Sequence, residues 1–321
     1  MLREGIVMRA RIVTPLRGAA LALVACAVVT IPVAAAGAST RSARDTCTDT
    51  PRVVREVRYD AVDGVDPNLL SLDLYLPTTG KGCDPVPLVV GVHGGGWRKG
   101  DKSGFTGDKA KLFNGGGWAF ANVNYRLSGP DVSPPVQYPT HNQDVANAVG
   151  YLVDHAKRYG LDPDQVGLLG HSAGAGIVAA VATDEQFLEQ AGLGLDTLRC
   201  AFPDDINFDV AQGIRFGGNL AFISRQAFGD DPAVWDDASP INHVEPGKDI
   251  PPILLTRRGA PAWQAQMDAF AAKLQGAGVD VQIIDATAYS HAQVNQLIGS
   301  TADPVMTKPV TAFFERCFAK Q

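Results

Sequence analysis

Apolar residues change their period along this chain, and the changes mark the elements. Residues 52–62 and 69–76 alternate apolar and polar positions around an Asp/Gly/Pro/Asn turn, the pattern of two strands joined as a hairpin. A Gly/Pro/Thr loop follows at 77–85. Residues 88–92, Leu-Val-Val-Gly-Val, form an unbroken apolar run, as in a strand buried on both faces. A short helix is predicted at 109–114, and residues 118–125 alternate into another strand. The proline-rich segment 128–139 has no period. Between 141 and 159, Val145, Ala148, Val149, Leu152 and Ala156 recur at helical spacing, and Gly160 ends the helix. Residues 166–169 give a further apolar strand, 170–174 a sharp turn, and 175–183 a run of helix formers. Strands at 198–202, 253–256 and 279–284 then alternate with helices at 262–276 and 307–318. Strand and helix in alternation after an antiparallel start specify an α/β fold with a mostly parallel, doubly wound sheet. Residues 204–248, with one helix expected at 218–227, interrupt the alternation and are read as a cap or lid over a pocket.

The chain has 321 residues, 45% of them hydrophobic, enough for one large α/β core. No repeat or linker divides residues 39–321, which are read as a single domain. Residues 1–38 stand apart. Arg3, Arg9, Arg11 and Arg17 accompany an apolar stretch at 18–36, and small residues close it at 34–38. These are the features of a cleaved secretory signal, so the protein is expected outside the cell. The alternatives are an uncleaved anchor or lipidation of Cys26. Loss of 1–38 removes four Arg and one Glu and takes the formal charge from −6 to −9. An acidic exported chain without a basic cluster argues against nucleic acid and against anionic membrane as partners. Cys47, Cys83, Cys200 and Cys317 would remain, with no Cys-x-x-Cys pair to suggest zinc. Two disulfides are expected in an oxidising compartment. Of the three pairings, Cys47–Cys83 would staple the hairpin, and Cys200–Cys317 would tie the last helix to a core strand.

Two motifs carry chemistry. Gly170-His171-Ser172-Ala173-Gly174 lies between an apolar strand and a helix, the setting of a G-x-S-x-G nucleophile elbow. The turn is crowded, so the positions two before and two after the serine must be small. His93-Gly94-Gly95-Gly96-Trp97 follows the 88–92 strand. A glycine run there lets backbone N–H groups face a developing oxyanion, with Gly95 or Gly96 supplying one donor and Ala173 the other. No metal or cofactor is implied.

These segments, with Asn124-Tyr125-Arg126-Leu127 and Ser290-His291 followed by Val294-Asn295, resemble the α/β-hydrolase esterases that carry an HGGGW oxyanion motif. Bacterial carboxylesterases and feruloyl-esterase-like enzymes look nearest, with kynurenine formamidase a relative. The similarity runs over residues 53–318. It implies the α/β-hydrolase fold, hydrolysis of a small-molecule ester, and the chain order serine, acid, histidine.

Ser172 is then the nucleophile. Among the six histidines, His291 follows the last strand, where the resemblance puts the base; His93 and His171 read as structural, and His141 and His155 as surface groups. The acid departs from the pattern. The resemblance places it in a Gly-x-x-Asp turn after the 253–256 strand, but that turn reads Arg258-Gly259-Ala260-Pro261-Ala262. Asp204, after the preceding strand, is the first choice, then Asp205, then Asp268. An arylformamidase and a hydrolase fold without activity, kept as a binding module, are the alternatives.

Overall fold

The structure is a computed structural model and describes residues 50–79 and 84–319. Residues 1–38, Cys47 and Cys83 lie outside that set. Eight strands among the described residues form one sheet: β1 (Arg52–Arg58), β2 (Ser71–Leu76), β3 (Val86–Val92), β4 (Ala119–Val123), β5 (Leu161–His171), β6 (Leu198–Asp204), β7 (Ile253–Arg257) and β8 (Val281–Asp285). The spatial order is β1-β2-β4-β3-β5-β6-β7-β8. β2 runs antiparallel to β1 and β4, and every other neighbouring pair is parallel. β1 stops at residue 58, short of the expected 62, because the Tyr59 N–H binds the Leu70 carbonyl and closes the hairpin there.

The central strands divide their side chains between two cores. Leu88, Val90 and Val92 of β3 join one cluster, and Val89 between them joins the other. That is the period of two of a strand covered on both faces. The Thr307–Phe318 helix closes the second core. Its Val310, Phe313, Phe314 and Phe318 fall on one helical face and are buried against Phe113, Trp118 and Phe120. Truncating Phe314 to alanine there would cost about 3–5 kcal/mol. Cys317 of this helix pairs with Cys200 of β6 at a Cα–Cα distance of 6.0 Å.

His141 is a correction to the sequence reading. It is fully buried at the start of the Thr140–Asp154 helix, with Nε2 2.9 Å from Ser128 Oγ, and burial pushes its pKa down to about 3. It anchors the proline-rich loop instead of facing water. Between β6 and β7 the chain forms helices at Val210–Arg215, Gly218–Phe228 and Pro232–Asp237.

Candidate active site

β5 ends at His171 and the next helix begins at Ala173, which leaves Ser172 alone on the bend at φ +56°. A positive φ at a residue with a side chain is strained, and here it lifts the hydroxyl out of the turn. The small neighbours are required by contact. A Cβ on Gly170 would sit 2.2 Å from the Gly174 carbonyl oxygen, and one on Gly174 would sit 2.2 Å from that of Val92. The Ser172 N–H donates to the Asp204 backbone carbonyl at 3.0 Å, which ties the bend to the end of β6.

His291 lies beyond β8 and reaches back to the bend. Its Nε2 is 2.9 Å from Ser172 Oγ, and its Nδ1 is 2.5 Å from Asp205 Oδ2. Two buried groups hold its loop. His171 Nε2 donates to the His291 carbonyl oxygen at 2.7 Å. Burial, together with the neighbouring His291, pushes the His171 pKa down to about 4, so it remains a neutral donor. Lys109, 2% exposed, donates its Nζ to the Asn295 carbonyl at 2.8 Å, in the short Gln293–Gln296 helix.

The three carboxylates separate cleanly. Asp204, the first choice for the acid, does not contact His291. Its side chain turns inward, is fully buried, and accepts from Thr256 Oγ1 at 2.6 Å, while Oδ2 has no hydrogen-bond partner among the described residues. Burial raises its pKa from 3.8 to about 7, with the Asp205 charge adding to the rise. Asp268, the third choice, lies on the Pro261–Gly276 helix and is held by Arg257 at 3.1 Å. Asp205, the second choice, is the carboxylate at the imidazole. The physical reason is alternation at a strand end: side chains of adjacent residues point opposite ways, and Asp205 also turns through φ +64°. Arg258 was not singled out in the sequence. Its Nε donates to Asp205 Oδ2, and its Nη2 lies 3.2 Å from His291 Nδ1. The signal that could have pointed to it was its place in the turn where a carboxylate was missing.

The glycine loop faces the same hydroxyl. Among the described residues the N–H groups of Gly95, Gly96 and Ala173 enter no hydrogen bond. A Cβ on Gly95 would lie 1.8 Å from the Lys99 carbonyl oxygen. His93 sits under this loop, buried, stacked on Tyr125 at 4.5 Å, with burial lowering its pKa. Gly94 to Gly96, Ser172 and His291 line one cavity of about 560 Å³. Trp97, Phe105, Ile206, Leu220 and Ile223 make its walls apolar, and the last two belong to the Gly218–Phe228 helix.

A mostly parallel sheet with a serine on the bend after a central strand and a histidine after the last strand is the α/β-hydrolase fold, and this chain has it. Residues 72–207 match the BD-FAE family model. The chain is 27% identical to the esterase LipQ of Mycobacterium tuberculosis over 60% of its own length and 47% of that protein. It is 33% identical to the kynurenine formamidase of Meyerozyma guilliermondii over 44% of its length and 51% of the relative. The matches thus span about half of these relatives or less. A solved structure of a truncated carbohydrate esterase from gut microbiota superposes with a TM-score of 0.68 at 19% identity, covering 85% of this chain and 99% of that one.

Proposed function

We propose that the protein is a secreted serine carboxylic-ester hydrolase, with Ser172 as nucleophile, His291 as base and Asp205 as the acid. The observation that carries this reading is the unbroken line from Ser172 Oγ through His291 to Asp205 Oδ2, with distances of 2.9 and 2.5 Å. Ser172 Oγ attacks the ester carbonyl carbon as its proton passes to His291 Nε2. The negative charge moves to the carbonyl oxygen, within reach of the N–H groups of Gly95 or Gly96 and of Ala173. The imidazolium returns the proton to the leaving alkoxide, which departs as an alcohol. Water, deprotonated by the same nitrogen, then releases the acid and restores Ser172. Asp205 holds Nδ1 protonated throughout and balances the imidazolium charge.

Residues 204–248 act as the cap of this site, since Ile206, Leu220 and Ile223 line its cavity. Apolar walls favour an uncharged acyl or aryl group. The similarity to a kynurenine formamidase supports a second reading, cleavage of an N-formyl aryl amide by the same groups. Export through residues 1–38 favours the ester. The test is Ser172→Ala on p-nitrophenyl esters of graded length, methyl ferulate and an N-formyl aniline. The expected loss is on the order of 10⁵-fold or more on the preferred substrate. Turnover within tenfold of the parent would sink the assignment. Covalent labelling of Ser172 by a fluorophosphonate separates an active enzyme from an inert binding module.

A further inference from the structure

β6 and β7 are neighbours in the sheet, yet their backbone register is a single pair, Ala201 with Ile253. Beyond that pair, toward the carboxyl ends, two side-chain bridges span the strands. Thr256 Oγ1 donates to Asp204 Oδ1 at 2.6 Å, and Arg258 Nε donates to Asp205 Oδ2. The residue at the imidazole therefore stands just past the end of β6, where β5 still pairs with Asp204 but no backbone pair reaches across to β7, and it is in a left-handed conformation. Both side-chain hydrogen bonds that Asp205 makes among the described residues end on Oδ2, one from His291 and one from Arg258. Without the guanidinium only the imidazole would orient this carboxylate, and the imidazole itself has to be oriented by it.

We propose that Arg258 is a positioning residue of the catalytic apparatus: it fixes the Asp205 carboxylate across the open end of the β6–β7 seam and thereby selects the tautomer of His291. This rests on the hydrolase reading above. The two donors around Oδ2 are not equivalent. When Nδ1 carries the proton, it donates to Asp205, and Nε2 is free to accept from Ser172. When Nδ1 is bare, it accepts from Arg258 Nη2, 3.2 Å away, and Nε2 carries the proton and cannot act as base. Arg258 anchors Oδ2 through Nε, leaving that oxygen 2.5 Å from Nδ1, which favours the first arrangement. A lysine, a point charge with three rotatable donors on a flexible stem, can balance the charge but cannot reproduce the planar fork.

The test compares Arg258→Gln and Arg258→Lys with the parent on the best ester found, with melting temperature and proton NMR alongside. Arg258→Gln should lower kcat by about 10- to 100-fold, as a misplacement of about 1 Å does, with KM within about threefold. Arg258→Lys should recover part of that loss and no more. The downfield resonance of the Nδ1 proton should be sharp in the parent and broadened or lost in Arg258→Gln at an unchanged melting temperature. It needs no substrate, so it tests Arg258 even if the ester reading fails. If Arg258→Gln keeps kcat within twofold, or loses only KM, or retains the sharp resonance, the proposal is wrong. If Arg258→Gln fails to fold, Arg258→Lys decides by its own resonance and kcat: parent values for both overturn the proposal, and loss in both supports it.

Discussion

The ends of β6 and β7, each with the residue that follows, lie side by side at the carboxyl edge of the sheet and contribute opposite charges. The first presents Asp204 and Asp205, the second Arg257 and Arg258. Within each pair, adjacent residues have different partners. Asp204 turns into the core and meets a hydroxyl, whereas Asp205 turns to the cavity and meets the imidazole. Arg257 pairs outward with Asp268, and Arg258 pairs with Asp205. One residue along a strand end is thus enough to turn a carboxyl from a buried core hydroxyl to the imidazole of the proposed base. Within each pair the two residues are of the same type, and the direction of each side chain is what differs.

The strongest way to break this contrast is Asp205→Asn. An amide cannot hold Nδ1 protonated as a carboxylate does, and kcat should fall by about 10⁴-fold while KM stays similar. Steady-state rates on a p-nitrophenyl ester check it, and a loss under tenfold would mean that another group orients His291.

Asp204→Asn should behave otherwise, with kcat within about tenfold. Its effect is on stability against pH. The Asp204 carboxyl keeps its proton up to about pH 7 in the folded chain but releases it near 3.8 when unfolded. Between those values the unfolded state binds fewer protons at this position, so the contribution of Asp204 to stability falls as pH rises from about 4 to 7 and is level on either side, while the buried His141 and His171 contribute in the opposite direction. The asparagine variant has no such proton. Its stability should gain on the parent across that window by an amount on the order of 4 kcal/mol. Urea unfolding at pH 4, 5.5 and 7.5 would reveal it, and parallel curves for the two proteins would refute the buried, protonated state.

Thr256→Val removes the one hydroxyl that satisfies Asp204 and should cost about 1–3 kcal/mol by urea unfolding, with kcat little changed. Asp268→Asn marks the small end of the scale. Its pair with Arg257 is 46% and 36% exposed, so less than about 1 kcal/mol and no change in kcat are expected. A large loss of kcat in Asp268→Asn would move the acid to the following helix and end the comparison.

Much of the architecture was legible in the sequence because period carries it. The unbroken apolar run of β3 reflects a strand covered on both faces, whereas β2 alternates yet is buried at every position, its Asp73 accepting from Arg55 and from the Glu56 N–H. The Thr307–Phe318 helix is found at the residues its spacing predicts. Short helices at Lys102–Thr106, Glu185–Gln190 and Pro232–Asp237 were not foreseen. Elements of five or six residues complete too few turns to show a period, and Asp101, Asp184 and Asp231 cap them by side-chain bonds that also occur in ordinary turns. His141 was misread because a histidine at a helix start looks the same in sequence whether it faces water or a buried serine.

The sequence by itself determined the sheet, the bend that lifts Ser172, and the glycine run before it, because each is enforced locally by residue size and spacing. It also narrowed the acid to three carboxylates. Only the tertiary structure showed which of them meets the His291 imidazole and brought in Arg258, His171 and Lys109. Their contacts with the His291 segment and with Asp205 join parts of the chain 53 to 186 residues apart. Whether such groups meet depends on strand order and on which way a side chain turns at a strand end, and no local pattern encodes either.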